Sequence, residues 1–275
     1  MPELPEVETV KNVIFPQIKN LPITNIQVHQ HNVLMNQTSN DFQSNLMLKH
    51  VVNMTRRGKF LIFHLNDGSH LVVHLKLTGQ LLVVPCHYAF IDHTYISIQF
   101  AANKQLRYID VRGFGKVWYF PVDTAIDIEG LNSLGLEPFD NSLTAEYLKT
   151  SMSKSKRAIK VMLLEQSIVA GIGNIYAAEI LYHAGINPTR ACSSLTDNEW
   201  NSLCKSIKHI MLWAVAVNSQ MTPEAYLINR GLYYYTNSKL QVYGKQFHSC
   251  KKCGSQIQKI SLNGRSTYYC PSCQK

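Results

Sequence analysis

The chain has 275 residues, of which 45% are hydrophobic, and its 27 Lys and Arg outnumber 18 Asp and Glu for a net charge of +9. That length is enough for two domains with cores of their own. No apolar run approaches the ~20 residues of a membrane span, and no basic-then-apolar stretch marks a signal peptide. We therefore expect a cytoplasmic protein without a membrane partner, whose seven cysteines are thiols or metal ligands rather than disulfides.

The positive charge is concentrated in the second half of the chain. Residues 141–275 carry 16 Lys and Arg against 6 Asp and Glu, whereas residues 1–140 carry 11 against 12. Basic domains bind polyanions because each neutralised phosphate releases counterions. The asymmetry favours a nucleic-acid partner over a basic surface kept only for solubility, although charge alone does not name that partner.

The N-terminal sequence Met-Pro-Glu-Leu-Pro-Glu supports two interpretations. If Met1 is removed, the N-terminus is the secondary amine of Pro2. The pKa of an α-amine, ~7.7, is far below that of lysine, so much more of it is unprotonated and nucleophilic at neutral pH. Such an amine attacks an electrophilic carbon such as a sugar C1′ and leaves a Schiff base, beside which Glu3 could shuttle protons. Alternatively, Pro5 and the acids that follow simply start a helix. The residues alone leave both interpretations open.

The first half of the chain predicts one helix followed by short strands. The helix covers about residues 5–19. The β-prone runs are residues 60–65, 71–77, 95–100 and 117–120, with turns at 66–68, 78–79 and 101–104. Short strands at close spacing indicate an antiparallel sandwich or barrel. Residues 121–141 gain Pro, Gly and acidic residues, and we place a domain boundary there.

The second half predicts helices. They cover the residues from a cap at Ser142 or Thr144 to 153, then 156–164, 174–184 and 195–213, the last with a capping box at Thr196. Gly171 and Gly173 precede the helix at 174, so this turn either holds a phosphate at a helix N-terminus or forms a tight corner between helices. Residues 230–245 are tyrosine-rich and are predicted as a loop.

The last 26 residues contain two Cys-x2-Cys pairs separated by sixteen residues, the spacing of a four-thiolate zinc ribbon. The predicted ligands are Cys250, Cys253, Cys270 and Cys273. Strands at 257–261 and 265–269 would flank an Asn263-Gly264 turn. Four thiolates leave no open coordination position, so the zinc is predicted to be structural. The other three cysteines are predicted to be buried apolar residues. Ribbons serve nucleic-acid and protein partners alike, and the spacing does not separate them.

Three motifs occur together: the N-terminal Pro-Glu, the run Gly-Ile-Gly-Asn-Ile-Tyr-Ala-Ala-Glu at 171–179, and the C-terminal ribbon. In this order they resemble the bacterial formamidopyrimidine-DNA glycosylase family, and Leu4 resembles that branch rather than the endonuclease VIII branch, which usually has Gly there. The resemblance implies an α+β fold: an N-terminal antiparallel β-sandwich with a flanking helix, then a helical helix–two-turn–helix domain that ends in a zinc-ribbon hairpin. It implies domains at residues 1–136, 137–243 and 244–275, with one structural Zn²⁺.

The resemblance also implies a bifunctional DNA glycosylase/AP lyase of base-excision repair. Such an enzyme flips an oxidised purine, typically 8-oxoguanine or a formamidopyrimidine, out of damaged double-stranded DNA. Pro2 would attack C1′, Glu3 would shuttle protons and Glu6 would be a supporting acid. β- and δ-Elimination from the Schiff base would then nick both sides of the lesion. The enzyme would act as a monomer, in the cytoplasm of a bacterium and on its nucleoid.

The family's DNA contacts transfer onto further residues. Lys59 and Arg265 match family residues that act at the lesion through its phosphates, and Asn174 matches a second phosphate contact. Lys160 is a further phosphate candidate. These positions predict a grip on the backbone around the flipped nucleotide.

Leu77, Arg112 and Phe114 match the three-residue wedge that fills the hole left by flipping, with leucine where the family usually has methionine. Arginine would bond to the orphaned cytosine while the ring stacks and kinks the duplex. Gly113 stands where a second arginine is common, and residues 230–239 depart from the usual loop over the flipped purine. Both departures bear on lesion choice.

Two alternatives remain in the sequence. One is an endonuclease VIII-like enzyme with the same chemistry that prefers oxidised pyrimidines. The other is a catalytically silent zinc-ribbon protein that binds damaged DNA, against which the presence of Pro2, Glu3 and Lys59 argues. A ribbon that serves only protein partners is disfavoured by the basic second half.

Overall fold

The computed structural model describes residues 2–275, and the chain forms two compact units. The first consists of the residues up to Ile128 together with Asn218–Tyr234, and the second of Glu129–Val217 together with Tyr235–Lys275. The helices are α1 (Leu4–Ile18), α2 (Ser39–Leu46), α3 (Glu129–Asn132), α4 (Ala145–Met152), α5 (Ile159–Leu163), α6 (Asn174–Ala184), α7 (Asp197–Asn218) and α8 (Pro223–Ile228). The strands are β1 (Ile23–Val28), β2 (Val51–Arg57), β3 (Phe60–Leu65), β4 (His70–His74), β5 (Gly79–Pro85), β6 (Thr94–Phe100), β7 (Lys104–Asp110), β8 (Lys116–Phe120), β9 (Gln258–Leu262) and β10 (Arg265–Tyr269).

The first unit is a sandwich of two antiparallel sheets. One sheet has the order β1-β6-β7-β5 and the other β2-β3-β4-β8. Aliphatic and aromatic side chains from both sheets and from α2 fill the space between them, among them Phe42, Phe63, Leu81, Leu106 and Val117. Their burial removes the apolar faces of both sheets from water, which is the main force holding such a sandwich together.

Helix α1 flanks the sandwich. Its buried residues Leu4, Val7, Val10, Ile14 and Ile18 recur at helical spacing, and this face packs against β2, β3 and β5. The short helix α8 packs on α1 and β5 after a cap at Thr222. Because α8 makes these contacts, residues 218–234 belong to the first unit, whereas the predicted division of the chain put them in the helical domain. The three-part division itself stays a prediction.

The second unit is helical and ends in a two-stranded hairpin. Helix α6 is buried over most of its length, and Gly185 ends it in the left-handed conformation (φ 74°). Helix α7 starts at the predicted capping box, in which the Thr196 amide donates to Glu199 at 2.8 Å and the Glu199 amide to the Thr196 hydroxyl at 3.4 Å. Strands β9 and β10 pair antiparallel across the Asn263-Gly264 turn, as predicted.

The α+β class, the sandwich, the helical domain and the terminal hairpin are confirmed. Strands β1, β2, β5 and β7 were not among the predicted runs. Of the four strands predicted for the first unit, β4 ends early, at His74 rather than at 77. The imidazole Nδ1 of His74 accepts the Lys76 amide at 3.0 Å, and the Gly79 amide donates to the Leu75 carbonyl at 2.9 Å. These local bonds close a turn where the apolar pattern predicts continued strand. Among residues 2–275, no helix is long and apolar enough to cross a membrane.

Candidate functional site

The N-terminal acids start α1 and lie next to Pro2. Glu3 is the N-cap of the helix: its carboxylate accepts the Glu6 amide, and its own amide donates to the Glu6 carboxylate at 2.9 Å. Glu3 and Glu6 are 2% and 5% exposed, whereas Pro2 is half-buried. Two buried carboxylates therefore lie within the four residues that follow Pro2 in the chain. Met1, whose removal the amine mechanism requires, lies outside the described residues.

The turn that carries Lys59 is tied to α1. Arg56 donates from Nε to Glu8 at 2.7 Å and from a guanidinium nitrogen to the Gly58 carbonyl at 3.1 Å. Gly58 has a positive φ of 54°, which suits glycine in the tight turn between β2 and β3. Lys59 is 9% exposed. The predicted lysine thus lies in a turn of the first unit, and the neighbouring Arg56 ties this turn to the helix that Glu3 caps.

His74 lies close to this lysine. Burial lowers the pKa of His74, and the positive charges of Lys76 and Lys59 lower it further, to about 3. The imidazole is therefore neutral at physiological pH, and Nδ1 is free of a proton and accepts the Lys76 amide. Sequence analysis did not single out His74, because the low pKa of its imidazole depends on burial and on the charge of Lys59, which only the fold brings near.

The wedge candidates lie on two neighbouring turns of the first unit. Leu77 is in the turn after β4, while Arg112 and Phe114 are exposed after β7, with the Arg112 guanidinium carbon 4.8 Å from the centre of the Phe114 ring. Asp110 joins the two turns. This fully buried carboxylate accepts from the Thr78 hydroxyl and from the backbone amide of Arg112 at 3.2 Å.

Residues 111–115, which carry Arg112 and Phe114, form the wedge loop, and the same carboxylate also binds the C-terminal end of this loop. It accepts the Gly115 amide at 2.8 Å and the Tyr108 hydroxyl at 3.1 Å. A Cβ on Gly115 would lie 1.5 Å from the Tyr108 hydroxyl oxygen, and a Cβ on Gly79 would lie 2.8 Å from it. Both glycines are thus needed for Tyr108 to reach Asp110. Sequence analysis missed this network, although Asp110 lies only two residues before Arg112.

Gly113 has a φ of 65°, and a Cβ there would lie 2.5 Å from the Tyr95 hydroxyl. The chain therefore has a steric reason for glycine at the position where the resemblance led us to expect a second arginine. In the loop at 230–239, the side chain of Tyr234 is buried. This burial, together with the neighbouring Tyr226 and Glu6, raises the pKa of Tyr234 well above its usual range. Tyr234 thus stays protonated near the candidate site.

In the second unit, two side chains converge on one carbonyl of the hairpin. Asn174, the first residue of α6, donates from Nδ2 to the Ser266 carbonyl at 3.0 Å. Lys160 donates from Nζ to the same oxygen at 3.1 Å and to the Thr267 hydroxyl at 2.9 Å. Arg265, the residue before Ser266, is exposed.

Lys160 is 1% exposed, and its ammonium donates to Ser266 and Thr267 inside the unit. In this structure it braces β10, the strand that begins at Arg265, and its role as a phosphate contact stays a prediction. Sequence alone could not show this, since the bracing residues lie more than a hundred positions away.

Glu179 fixes the segment that leads to the ribbon. Its buried carboxylate accepts the backbone amides of Gln241, Val242 and Tyr243, each at 2.9 Å. Burial raises the pKa of Glu179, although these three donors act in the opposite direction. The carboxylate lies one turn before the end of α6 and serves the fold rather than a reaction.

The four predicted ligands form one group. The Sγ atoms of Cys250, Cys253, Cys270 and Cys273 all lie within 4.8 Å of one another, with 3.5 Å between Cys253 and Cys270 and 3.8 Å between Cys250 and Cys273. Zn–S bonds of about 2.3 Å in a tetrahedron place sulfurs about 3.8 Å apart. The donors thus fit one structural zinc, which the chain holds. The other cysteines lie elsewhere: two are buried, and Cys86 is half-buried.

Three family models match the chain in succession. The formamidopyrimidine-DNA glycosylase N-terminal domain matches residues 1–117, the formamidopyrimidine-DNA glycosylase H2TH domain matches 134–224, and the zinc finger found in FPG and IleRS matches 248–275. Together they cover both the sandwich and the helical part, and they end on the four cysteines.

Comparison with full-length proteins and with solved structures identifies relatives of the same kind. A formamidopyrimidine-DNA glycosylase of Pelotomaculum thermopropionicum is 35% identical and is aligned over 100% of this chain and 99% of its own length. The Lactococcus lactis Fpg crystallised with DNA containing FAPY-dG is 32% identical, with a TM-score of 0.90 over 99% of this chain and 100% of that one. The same enzyme with DNA containing an oxidised pyrimidine has a TM-score of 0.91 at 32% identity and covers 100% of both chains.

Proposed function

Since this chain belongs to the formamidopyrimidine-DNA glycosylase family and is a DNA glycosylase of base-excision repair, we propose that it excises oxidised purines through the amine of Pro2 and then cleaves the strand as a lyase. The observation that carries this proposal is the pair of buried carboxylates of Glu3 and Glu6, each of which accepts the backbone amide of the other residue, in the chain directly after Pro2. A helix needs only one good cap at this point. A second buried acid beside a potential amine nucleophile suits proton transfer.

The first chemical step joins Pro2 to the sugar. The amine nitrogen forms a bond to C1′ while the bond from C1′ to the base breaks, and the base leaves with that electron pair and takes up a proton. Opening of the sugar ring gives an iminium ion between Pro2 and C1′. Glu3 is the group placed to move protons between the amine, the sugar oxygen and water.

The second step uses the iminium ion as an electron sink. Loss of a proton from C2′ expels the 3′ phosphate, and a further elimination expels the 5′ phosphate, so that the strand is nicked on both sides of the lesion. Water then hydrolyses the iminium and returns the free amine. Lys59, in the turn that Arg56 ties to Glu8 of α1, is the cation assigned to a phosphate at the lesion.

Binding of the duplex is assigned to two sets of residues. Asn174 and Arg265 of the second unit would hold phosphates, and the excess of basic residues in 141–275 would supply the sequence-independent attraction. Leu77, Arg112 and Phe114 of the first unit would fill the gap left by the flipped nucleotide. We assign damaged double-stranded DNA as the substrate, action as a monomer and no membrane partner.

Oxidised pyrimidines form a second candidate substrate class. A similar Fpg has been crystallised with DNA containing an oxidised pyrimidine. In this chain a side chain at position 113 would displace Tyr95, so the position is restricted to glycine. The loop after α8 contains Tyr233, Tyr234 and Tyr235. These differences alter the surroundings of the lesion more than the surroundings of Pro2.

Borohydride trapping tests the proposal. The purified chain is incubated with duplexes containing 8-oxoguanine opposite cytosine, an oxidised pyrimidine or an abasic site, and reduced; the N-terminal peptide is then analysed by mass spectrometry. We expect an adduct on Pro2 with the purine and abasic duplexes, and slower trapping of 8-oxoguanine with Pro2→Gly, which replaces the secondary amine by a primary one. An adduct on a lysine instead of Pro2 would overturn the nucleophile. Faster trapping on the pyrimidine duplex than on 8-oxoguanine would favour the second substrate class.

A further inference from the structure

Helix α6 contacts the zinc ribbon near both of its ends. At its first residue, the Asn174 amide group donates to the Ser266 carbonyl at 3.0 Å. Eight residues later, about 12 Å along the axis, the Tyr182 hydroxyl oxygen lies 3.2 Å from the Sγ atom of Cys250. The first contact reaches strand β10, and the second reaches a zinc ligand.

The contact between Tyr182 and Cys250 is sealed from water. Both residues are 3% exposed and lie in one apolar cluster, with Ala178, Val242 and Ile257 among its members. The ammonium of Lys252 covers the outer side, 4.5 Å from the centre of the Tyr182 ring and 3.4 Å from its carbonyl oxygen. A polar contact in such a place is much stronger than one exposed to solvent.

Chemistry fixes the direction of this hydrogen bond. A zinc-bound cysteine is a thiolate and has no proton to give, whereas a tyrosine hydroxyl has one at neutral pH. Four thiolates around Zn²⁺ carry a net charge of −2, so a donor to one of them withdraws some of that charge. The cation of Lys252 acts in the same sense across the ring.

We propose that Tyr182 is a hydrogen-bond donor to the zinc-bound thiolate of Cys250, through which it both retains the metal and fixes α6 to the ribbon. Groups that bond to metal ligands typically alter metal affinity by about 10- to 100-fold. The proposal rests on the zinc site and not on the glycosylase chemistry, so it stands or falls separately from the reaction at Pro2.

Tyr182→Phe tests the proposal in the full-length chain, because it removes only the hydroxyl oxygen. With Co²⁺ in place of zinc, we expect the thiolate-to-cobalt charge-transfer band to move to lower energy, since a thiolate that loses a donor holds its electrons less tightly. With zinc, we expect release of the metal to a chelator to become about tenfold faster. Neither readout depends on DNA or on turnover.

Tyr269→Phe is the matched control. Tyr269 lies in the same hairpin, but its hydroxyl donates to Gln258 at 2.9 Å in an exposed pair that involves no thiolate. The band and the release rate should stay at their wild-type values in this variant. An unshifted band in Tyr182→Phe would overturn the proposal even if zinc left faster. An equal effect of Tyr269→Phe would also overturn it, because the hairpin as a whole would then set metal retention.

Discussion

Glu3 caps the start of α1 and is also the residue that we propose as the proton shuttle, so the two interpretations of the N-terminal sequence apply to the same residue. The carboxylate caps the Glu6 amide, and Pro5 lies in the first turn, as a helix start requires. The helix start nevertheless leaves Pro2 unexplained. A residue with two roles makes simple deletion ambiguous, since loss of activity could follow from loss of the cap.

Substitution by two different residues separates these roles. Serine caps helices about as well as acidic residues but cannot move protons as a carboxylate does. We expect Glu3→Ser to unfold within about 1 kcal/mol of the wild type, while Glu3→Ala loses about 0.5–2 kcal/mol. Both variants should lose about 100-fold or more of base excision. Urea unfolding and single-turnover excision measure the two properties. Full activity of Glu3→Ser would remove Glu3 from the mechanism.

His74 makes the first unit sensitive to acid. Its folded pKa of about 3 lies below the unfolded value of about 6.5, so below pH 6.5 the unfolded chain binds a proton that the folded chain does not. The free energy of unfolding therefore falls by about 1.4 kcal/mol per pH unit from this residue as the pH drops from 6.5 towards 3. Protonation would also remove the acceptor of the Lys76 amide.

His74→Asn tests this assignment. Asparagine offers a short acceptor for the Lys76 amide and does not titrate. Between pH 7.5 and 5.0 we expect the wild type to lose about 2 kcal/mol more stability than the variant. Urea unfolding at the two pH values gives the difference. Parallel losses in the two proteins would show that His74 titrates normally in the fold.

At the level of elements, the wedge loop is organised by a buried carboxylate beneath it rather than by its own residues. Thr78 contributes twice, since its hydroxyl donates to Asp110 and also lies 3.2 Å from the Arg112 amide. Thr78→Val keeps the shape and removes both contacts. We expect the ratio of excision opposite cytosine to excision opposite adenine to fall several-fold, because Arg112 loses a backbone contact that positions it. Trapping on an abasic duplex should change little.

Thr24→Val is the control for that substitution. Thr24 is exposed on β1, and its hydroxyl donates to the Gln99 carbonyl at 3.3 Å, away from the wedge. The opposite-base ratio should be unchanged in this variant. An unaltered ratio in Thr78→Val would mean that the loop keeps its place without the threonine.

Local signals explain which elements the sequence predicted. Helix α6 lies where it was predicted, since Gly173 precedes it and Gly185 ends it, and the ribbon turn followed from Asn263-Gly264. The end of β4 was mispredicted because it depends on the His74 side chain. Of the site, motif positions supplied Pro2, Glu3 and the cysteines. Sequence analysis missed three side-chain contacts, because the residues of each are far apart in the chain and only the fold brings them together. They are the contacts of Asp110 with Thr78, of Lys160 with Thr267 and of Tyr182 with Cys250.

The whole molecule divides its tasks between its two units. The first unit holds Pro2, the two acids, Lys59 and the turns with the wedge candidates, and its 12 Lys and Arg nearly balance its 10 Asp and Glu. The second holds Asn174, Arg265 and the metal ligands, and it carries most of the positive charge. Under the proposed function, the chemistry belongs to the sandwich unit, at the start of α1 and in the turns between strands. Retention of DNA belongs to the helical unit, whose last 26 residues contain the four metal-binding cysteines.

Zinc removal should therefore separate DNA binding from the integrity of the sandwich. The hairpin is too small to have its own core, so the metal supplies much of its folding free energy. In Cys250→Ser, or after chelation, we expect the amides of β9 and β10 to exchange rapidly while those of β2, β3 and β4 stay protected. Affinity for a duplex should fall at least about tenfold, since the support of Arg265 is lost and one charge-assisted bond is worth about 1.5–3 kcal/mol.

Cys86→Ser, at a half-buried cysteine outside the metal group, is the control and should match the wild type in both measurements. Full DNA affinity without zinc would show that the ribbon is not needed to hold the duplex, and exchange throughout β2–β4 would show that the sandwich depends on the metal as well.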